Sequence, residues 1–241
     1  MRNRIVLDTI PFRNNFDSLV KQTRVKKGTR YFDDLESLWR EAQNFAEPKA
    51  LYNQAFIETG GDDQVIVDGT PLKSRVLKVN LKNTHRVFPF VATCGTELDN
   101  WAKSLKDMLH SFFAEIIKQM ALTAAVHYLD SHVKDHFSIE KIAFMTPGSL
   151  EDWPISEQRP LFEILGDVQG AIGVQLIDSL MMSPVQSVSG IIFPTEVTFE
   201  SCQLCPREKC PGRRAPYDPD LYDKKYKKPQ QCPVRGLHVR L

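Results

Sequence analysis

The stretch LIDSLMMSPVQSVSG, Leu176–Gly190, is the part of the chain on which the fold assignment turns. Read on its residues alone, its MMSPVQSVSG portion (181–190) is a serine-rich loop between two strand-like runs, VQLIDSL (174–180) and IIFPTEVTFE (191–200). Ser183, Ser187 and Ser189, beside Gly190, fit turn chemistry in which hydroxyls satisfy local backbone groups. The same hydroxyls would also serve as contacts to a ligand or a partner protein. What surrounds the loop decides between these uses.

Moving upstream, SEQRPLFEIL (156–165) reads as a helix that tolerates Pro160 in its first turn, and EKIAFM (140–145) as a short strand entering the turn-rich TPGSLEDWP (146–154). Leu98, Trp101, Leu105, Met108, Phe112, Ile116, Met120, Ala124 and Tyr128 recur at helical spacing, with Thr96 and Asp99 as the expected N-cap. This run is long enough to bend or to be two helices, and its Met and aromatic stripe is core. Before it, LYNQAFIE (51–58), DQVIVDG (63–69), SRVLKVNL (74–81) and HRVFPFVAT (85–93) read as strands, antiparallel because their connections are short. FDDLESLWREAQNFAEP (32–48) reads as a helix with Asp33 and Glu36 as a capping box. The fold class expected is α+β, an antiparallel sheet packed with helices, over residues 1–200.

From Ser201 the composition changes, and residues 201–241 are expected to form a separate cysteine-rich, basic segment. The net charge of +1 hides a basic tail and a mildly acidic body, and few large aliphatics follow residue 200. Such a segment has too little apolar area to offset its ordering entropy unaided, and a bound metal would supply the difference. No apolar run approaches the roughly 20 residues of a membrane helix, and the N-terminus lacks the apolar core of a secretory signal. The expected location is cytoplasmic, where thiols stay reduced and clustered cysteines serve as ligands.

Cys202, Cys205 and Cys210, spaced Cys-x2-Cys-x4-Cys, and the distant Cys232 supply four sulfurs, enough for an iron–sulfur cluster of the 4Fe–4S type or for zinc. Cys205, Cys210 and Cys232 each precede proline, as in ferredoxin-type loops, which favours the cluster; incidental thiols are the third reading. Cys94 reads as a small buried hydrophobe. Arg213 and Arg214 fit a phosphate or carboxylate, or an ion pair with a neighbouring acid. The run DKKYKK (223–228) reads as a solvated face more readily than as a nucleic-acid contact, and His132 with His136 as a solvated helix face more readily than as metal ligands.

Returned to Leu176–Gly190, these surroundings bring out a resemblance. Leu176, Ser179, Met182, Pro184, Ser187, Val188, Ser189 and Gly190 match the pattern Leu-x-Glu-Ser-x-x-Met-x-Pro-x-x-Ser-Val-Ser-Gly of the activation (reactivation) domain of cobalamin-dependent methionine synthase, with Asp178 in the glutamate's place. TPGSLEDWPISEQRPLFEIL is similar to that family's Pro-Gly segment and helix, and ATCGTELDNW (92–101) to the start of its long helix. The resemblance covers residues 85–195 well, the N-terminal part weakly and the cysteine tail not at all.

The resemblance implies one domain around a twisted antiparallel sheet with a shallow S-adenosylmethionine site, lined by Pro147, Gly148, Ser149, Ser183, Ser187, Ser189 and Gly190. It implies an accessory role in reductive reactivation, or methyl transfer, of a corrinoid (vitamin B12) protein. Its partners would be that protein and an electron donor, with the cysteine segment adding a redox centre. The family's Arg-Pro-Ala-Pro-Gly-Tyr window reads Phe144-Met145-Thr146-Pro147-Gly148-Ser149 here, so the arginine that binds the ligand's carboxylate is replaced by Phe144. Arg159, Arg213 and Arg214 are the candidate substitutes. Two other readings stand beside this one: a non-catalytic, zinc-stabilised module for a protein or nucleic-acid partner, and a small methyltransferase acting on a non-corrinoid acceptor.

Overall fold

The computed structural model describes residues 3–12, 15–58, 60–197, 199–210 and 212–228. Strand β1 (Asn3–Leu7) is followed by helices α1 (Phe16–Thr23) and α2 (Arg30–Ala42). Strands β2 (Lys49–Glu58), β3 (Gln64–Val67) and β4 (Thr70–Lys73) then precede a short helix α3 (Arg75–Asn80) and strand β5 (Arg86–Thr93). Helices α4 (Thr96–Ser104) and α5 (Met108–Phe137) lead to β6 (Ile142–Met145). After α6 (Gln158–Leu165) and α7 (Val168–Ile172) come the short β7 (Gln175–Leu176) and β8 (Met182–Ser183), then β9 (Ser187–Pro194). The main sheet runs β4-β3-β2-β5-β9-β6, antiparallel at every pairing, with β1 added to the edge of β2.

Alternation along the strands divides the core in two. Tyr52, Phe88, Phe90 and Ile192 face the C-terminal half of α5 through Leu122, Ala125, Leu129 and Val133. Leu51, Val91, Met145, Ile191 and Phe193 face α6 and α7 through Leu161, Ile164, Leu165 and Ile172. The N-terminal half of α5 packs instead with α1, α2 and α4 around Leu19, Leu35, Leu38, Trp101 and Phe113. Each half of this 30-residue helix meets a different neighbour, so its apolar residues spread beyond one stripe. Among the described residues, no helix is long and apolar enough to cross a membrane.

Several elements differ from the sequence reading. SRVLKVNL forms α3 rather than a strand because carboxylates and hydroxyls satisfy its first turn: Ser74 Oγ accepts from Leu77 N–H (2.9 Å), and Asp152, distant in the chain, accepts from Arg75 N–H (3.2 Å) and Val76 N–H (3.0 Å). Ser74 Oγ–H donates to the same carboxylate. That tertiary cap overrides the β-preference of Val76 and Val79. Helix α2 starts at Arg30, a turn before Asp33, and the N-cap of α4 is Gly95, with Thr96 its first residue. The long helical run breaks at Leu105, which is extended, and Asp107 opens α5 by accepting from Leu109 N–H (2.9 Å) and His110 N–H (3.0 Å). Ser187–Gly190 is strand, the first half of β9, registered against Phe90–Thr93 of β5.

The residues after 200 are not coreless. Tyr226 is wholly buried against the α6/α7 side of the sheet, where Leu204, Cys205 and Leu221 also pack. Its hydroxyl donates to Asn80 Oδ1 (2.9 Å), and its carbonyl accepts from Arg75 Nε (3.0 Å). One large aromatic supplies what a count of aliphatics misses.

Candidate functional site

The turn after β6 is built around Trp153, which has no exposed surface. Gly148 N–H donates to the Trp153 carbonyl (2.7 Å), Ser149 N–H to the Thr146 carbonyl (3.2 Å) and Trp153 N–H to the Leu150 carbonyl (3.2 Å). Gly148 has φ +82°, a left-handed conformation that favours glycine, while a Cβ there would meet only the flexible end of Ile155, 2.9 Å away at Cδ1. The hydroxyls of Thr146 and Ser149 share a hydrogen bond across the turn. Ser149 thus closes its own loop.

Of the sequence-predicted site residues, Pro147, Gly148 and Ser149 share the turn after β6, and Gly190 on β9 lies against the start of that turn, where an added Cβ would meet the Met145 carbonyl and the Thr146 side chain. The serines divide otherwise. Ser187 and Ser189 alternate with Gly190 and lie on the α6/α7 side of the sheet with Ile191 and Phe193, whereas Gly190 and Phe144 lie on the α5 side. Ser187 Oγ donates to Thr93 Oγ1 (2.9 Å) or to the Pro184 carbonyl (2.8 Å). The Ser189 hydroxyl is buried with no partner among the described residues. Ser183 sits on β8, paired with Gln175.

Phe144 stands where the resemblance expects a ligand-binding arginine, and the guanidinium of Arg214 lies 4.3 Å over its ring. Glu200 Oε2 holds Arg214 Nε at 3.0 Å, and the two terminal nitrogens have no partner among the described residues. The other candidate cations are engaged elsewhere. Arg159 donates to the Asp178 carbonyl (3.3 Å). Arg213 donates to the carbonyls of Cys202 (3.2 Å), Ala215 (3.3 Å) and Cys205 (3.3 Å), and to that of Arg207.

One guanidinium therefore organises the backbone of the cysteine loop. Cys202 and Cys205 lie on and just after a 3-10 turn, Ser201–Leu204, closed by Cys205 N–H to the Cys202 carbonyl (3.3 Å). Cys202 Sγ accepts from Arg214 N–H at 3.5 Å. Cys202, Cys205 and Cys210 are free thiols and partly exposed. Among the described residues no three His, Cys, Asp or Glu side chains are gathered to hold an ion, and Cys232 lies outside those residues. Cys94 is fully buried, and burial pushes its thiol up to about 12.

The six-residue run 223–228 is mostly neutralised. Lys224 pairs with Asp220 (3.1 Å), Lys227 with Asp223 (3.1 Å) and Lys228 with Asp63 (2.6 Å). His132 and His136 stack at 5.4 Å between centroids, and Tyr52 Oη lies 3.0 Å from His132 Nδ1. Burial, with His136 beside it, lowers the proton affinity of His132. The Phe144–Arg214–Glu200 contact was not foreseeable from spacing, because it joins residues far apart in the chain.

No protein-family model matches the sequence, and no curated protein matches it. Among solved structures, the crystal structure of the MetH reactivation domain bound to AdoHcy superposes with a TM-score of 0.61, covering 83% of this chain and 81% of that chain at 15% identity. At that identity the likeness establishes architecture, and the chain has the mixed helix and antiparallel-sheet fold of the MetH reactivation domain.

Proposed function

We propose that the protein is an accessory to a corrinoid protein, binding an S-adenosyl ligand along β6 and the 146–149 turn in support of reductive reactivation or methyl transfer. The observation that carries this reading is Arg214, clamped by Glu200 and laid over Phe144. The C-terminal segment thereby returns a guanidinium to the place where the resemblance expects one, with terminal nitrogens available for a carboxylate. A neighbour of the same fold with AdoHcy bound supports a ligand of this class. Arg214→Met is expected to weaken S-adenosylhomocysteine binding by about tenfold, the usual effect of losing one charge-assisted contact, while Arg214→Lys loses less. Calorimetric titration decides this. Equal affinity in wild type and Arg214→Met, or no binding by either, would sink the reading.

In the same proposal Cys202, Cys205, Cys210 and Cys232 hold an iron–sulfur cluster, which when bound supplies one-electron transfer at low potential. The protein's own part is to fix the loop carbonyls on Arg213 and to aim the Arg214 N–H at the Cys202 sulfur. Protein purified without oxygen is expected to be brown and to contain iron and acid-labile sulfide, and Cys202→Ser to lose both. Colourless protein with stoichiometric zinc would instead favour the zinc-stabilised binding module. A protein partner would then be expected over nucleic acid, since the pairing of Lys224, Lys227 and Lys228 with aspartates removes most of the charge that phosphates would need.

A further inference from the structure

A cleft of about 900 Å³ opens at the opposite end of β6 from the 146–149 turn. Its walls come from the α3–β5 connection, the α5–β6 connection, the end of β9 and, from the C-terminal segment, Lys225. The volume lies within the range of small-molecule sites. Arg86 and Lys225 are both set on aromatic faces: the Arg86 guanidinium lies 4.8 Å over Phe137 and 5.5 Å over Phe88, and the Lys225 ammonium 5.8 Å over Phe199 and 5.1 Å over Tyr226.

Lys225 differs from its neighbours in the run 223–228. Lys224, Lys227 and Lys228 each have an aspartate, whereas Lys225 donates only to the neutral Asn80 Oδ1 (3.0 Å), and burial lowers its proton affinity. Among the described residues neither Lys225 nor Arg86 has a carboxylate partner. The remaining titratable groups of the cleft are His85, Lys141, Glu140 and Glu196. Two cations with no ion-pair partner among the described residues, each resting on aromatic faces at one concave site, suit a multiply charged oxyanion better than a polymer or a neutral metabolite.

We propose that this cleft binds a phosphorylated small molecule, with Arg86 and Lys225 contacting the phosphate oxygens. The site is separate from the one assigned to the S-adenosyl ligand and does not depend on it.

Calorimetric titration with inorganic pyrophosphate, ADP and adenosine tests the proposal on the intact protein. Pyrophosphate and ADP are expected to bind, adenosine not to, and affinity to fall as salt rises. Lys225→Met keeps the stem over Phe199 and is expected to weaken ADP about tenfold, as is Arg86→Met, whereas Arg86→Lys keeps the charge and loses less. Arg214→Met is expected to leave pyrophosphate binding unchanged, which separates the two sites. Should Arg86→Met fail to fold, Lys225→Met decides alone. Absence of pyrophosphate and ADP binding, equal affinity in wild type and Lys225→Met, or adenosine binding as well as ADP would each overturn the assignment.

Discussion

Gly190→Ala is expected to destabilise the protein by about 2–4 kcal/mol, although it adds a single methyl group. A Cβ at this position would lie 2.3 Å from the Met145 carbonyl oxygen and 3.0 Å from both the Phe90 ring and Thr146 Cγ2. The backbone of Gly190 is not in the left-handed region, so the cost is steric rather than conformational. The carbonyl cannot retreat without disturbing the register in which Phe144 and Met145 face Ile192 and Ile191. Phe90 is itself packed between strands and α5. Gly61→Ala, where an added Cβ meets nothing, is the control and should stay within about 0.5 kcal/mol. Urea unfolding of both variants measures the difference, and a Gly190→Ala midpoint equal to wild type would refute the packing described. Under the function proposed above, the same substitution, by crowding Thr146, should also weaken S-adenosylhomocysteine binding.

Removing Asp99 should cost a similar or larger amount, by a different mechanism. Lys118 Nζ lies 2.9 Å from Asp99 Oδ1 and 2.6 Å from Glu115 Oε1, while Lys103 Nζ lies 2.6 Å from Asp99 Oδ2. The side chains of Lys118 and Asp99 are each only 4% exposed. Asp99→Ala leaves an ammonium buried with a single remaining carboxylate, a loss expected at about 3–5 kcal/mol. Asp99→Leu combined with Lys118→Met should recover most of it, since neither desolvated charge remains.

The pair also sets a pH dependence. Burial alone would raise the Asp99 carboxyl, but hydrogen bonds from Lys103 and Lys118 overcome it and hold the group below the usual carboxylate range. A depressed folded value means that Asp99 contributes its stability above the unfolded value of about 4, and loses it as pH falls through the folded value. Burial likewise would lower Lys118, and Glu115 and Asp99 raise it instead. That contribution is present below the unfolded value of about 10.4 and is lost as pH rises through the folded one. Melting temperature against pH should therefore fall less steeply in acid for the double variant than for wild type. Parallel curves would show that the pair is not the source.

What the sequence made legible follows the range of the interactions involved. The period-two runs of β2, β5 and β6 and the three-four spacing of α4 and α5 are local, and they appear in the structure within a few residues of where the pattern put them. The matches between Leu176 and Gly190 indicated the overall architecture, which the structural likeness bears out. Helix α3 was hidden because the carboxylate that caps it, Asp152, belongs to the turn after β6. That Ser187 and Ser189 lie on one face of the sheet and Gly190 on the other depended on whether Ser187–Gly190 was loop or strand, and only the pairing with β5 fixes that. Arg214 over Phe144, and Arg86 with Lys225 in one cleft, arise when the chain after residue 200 docks on the body. No spacing rule reports such a meeting.

The burial of Tyr226 bears on how the molecule is made. A chain leaving the ribosome exposes β2, β5 and α6 well before residue 226 emerges, so the socket between α3 and the sheet stays open to water until nearly the last of the described residues arrives. Vectorial synthesis then puts closure of that socket after the folding of the strands and helices that line it, with their apolar side chains uncovered in the interval.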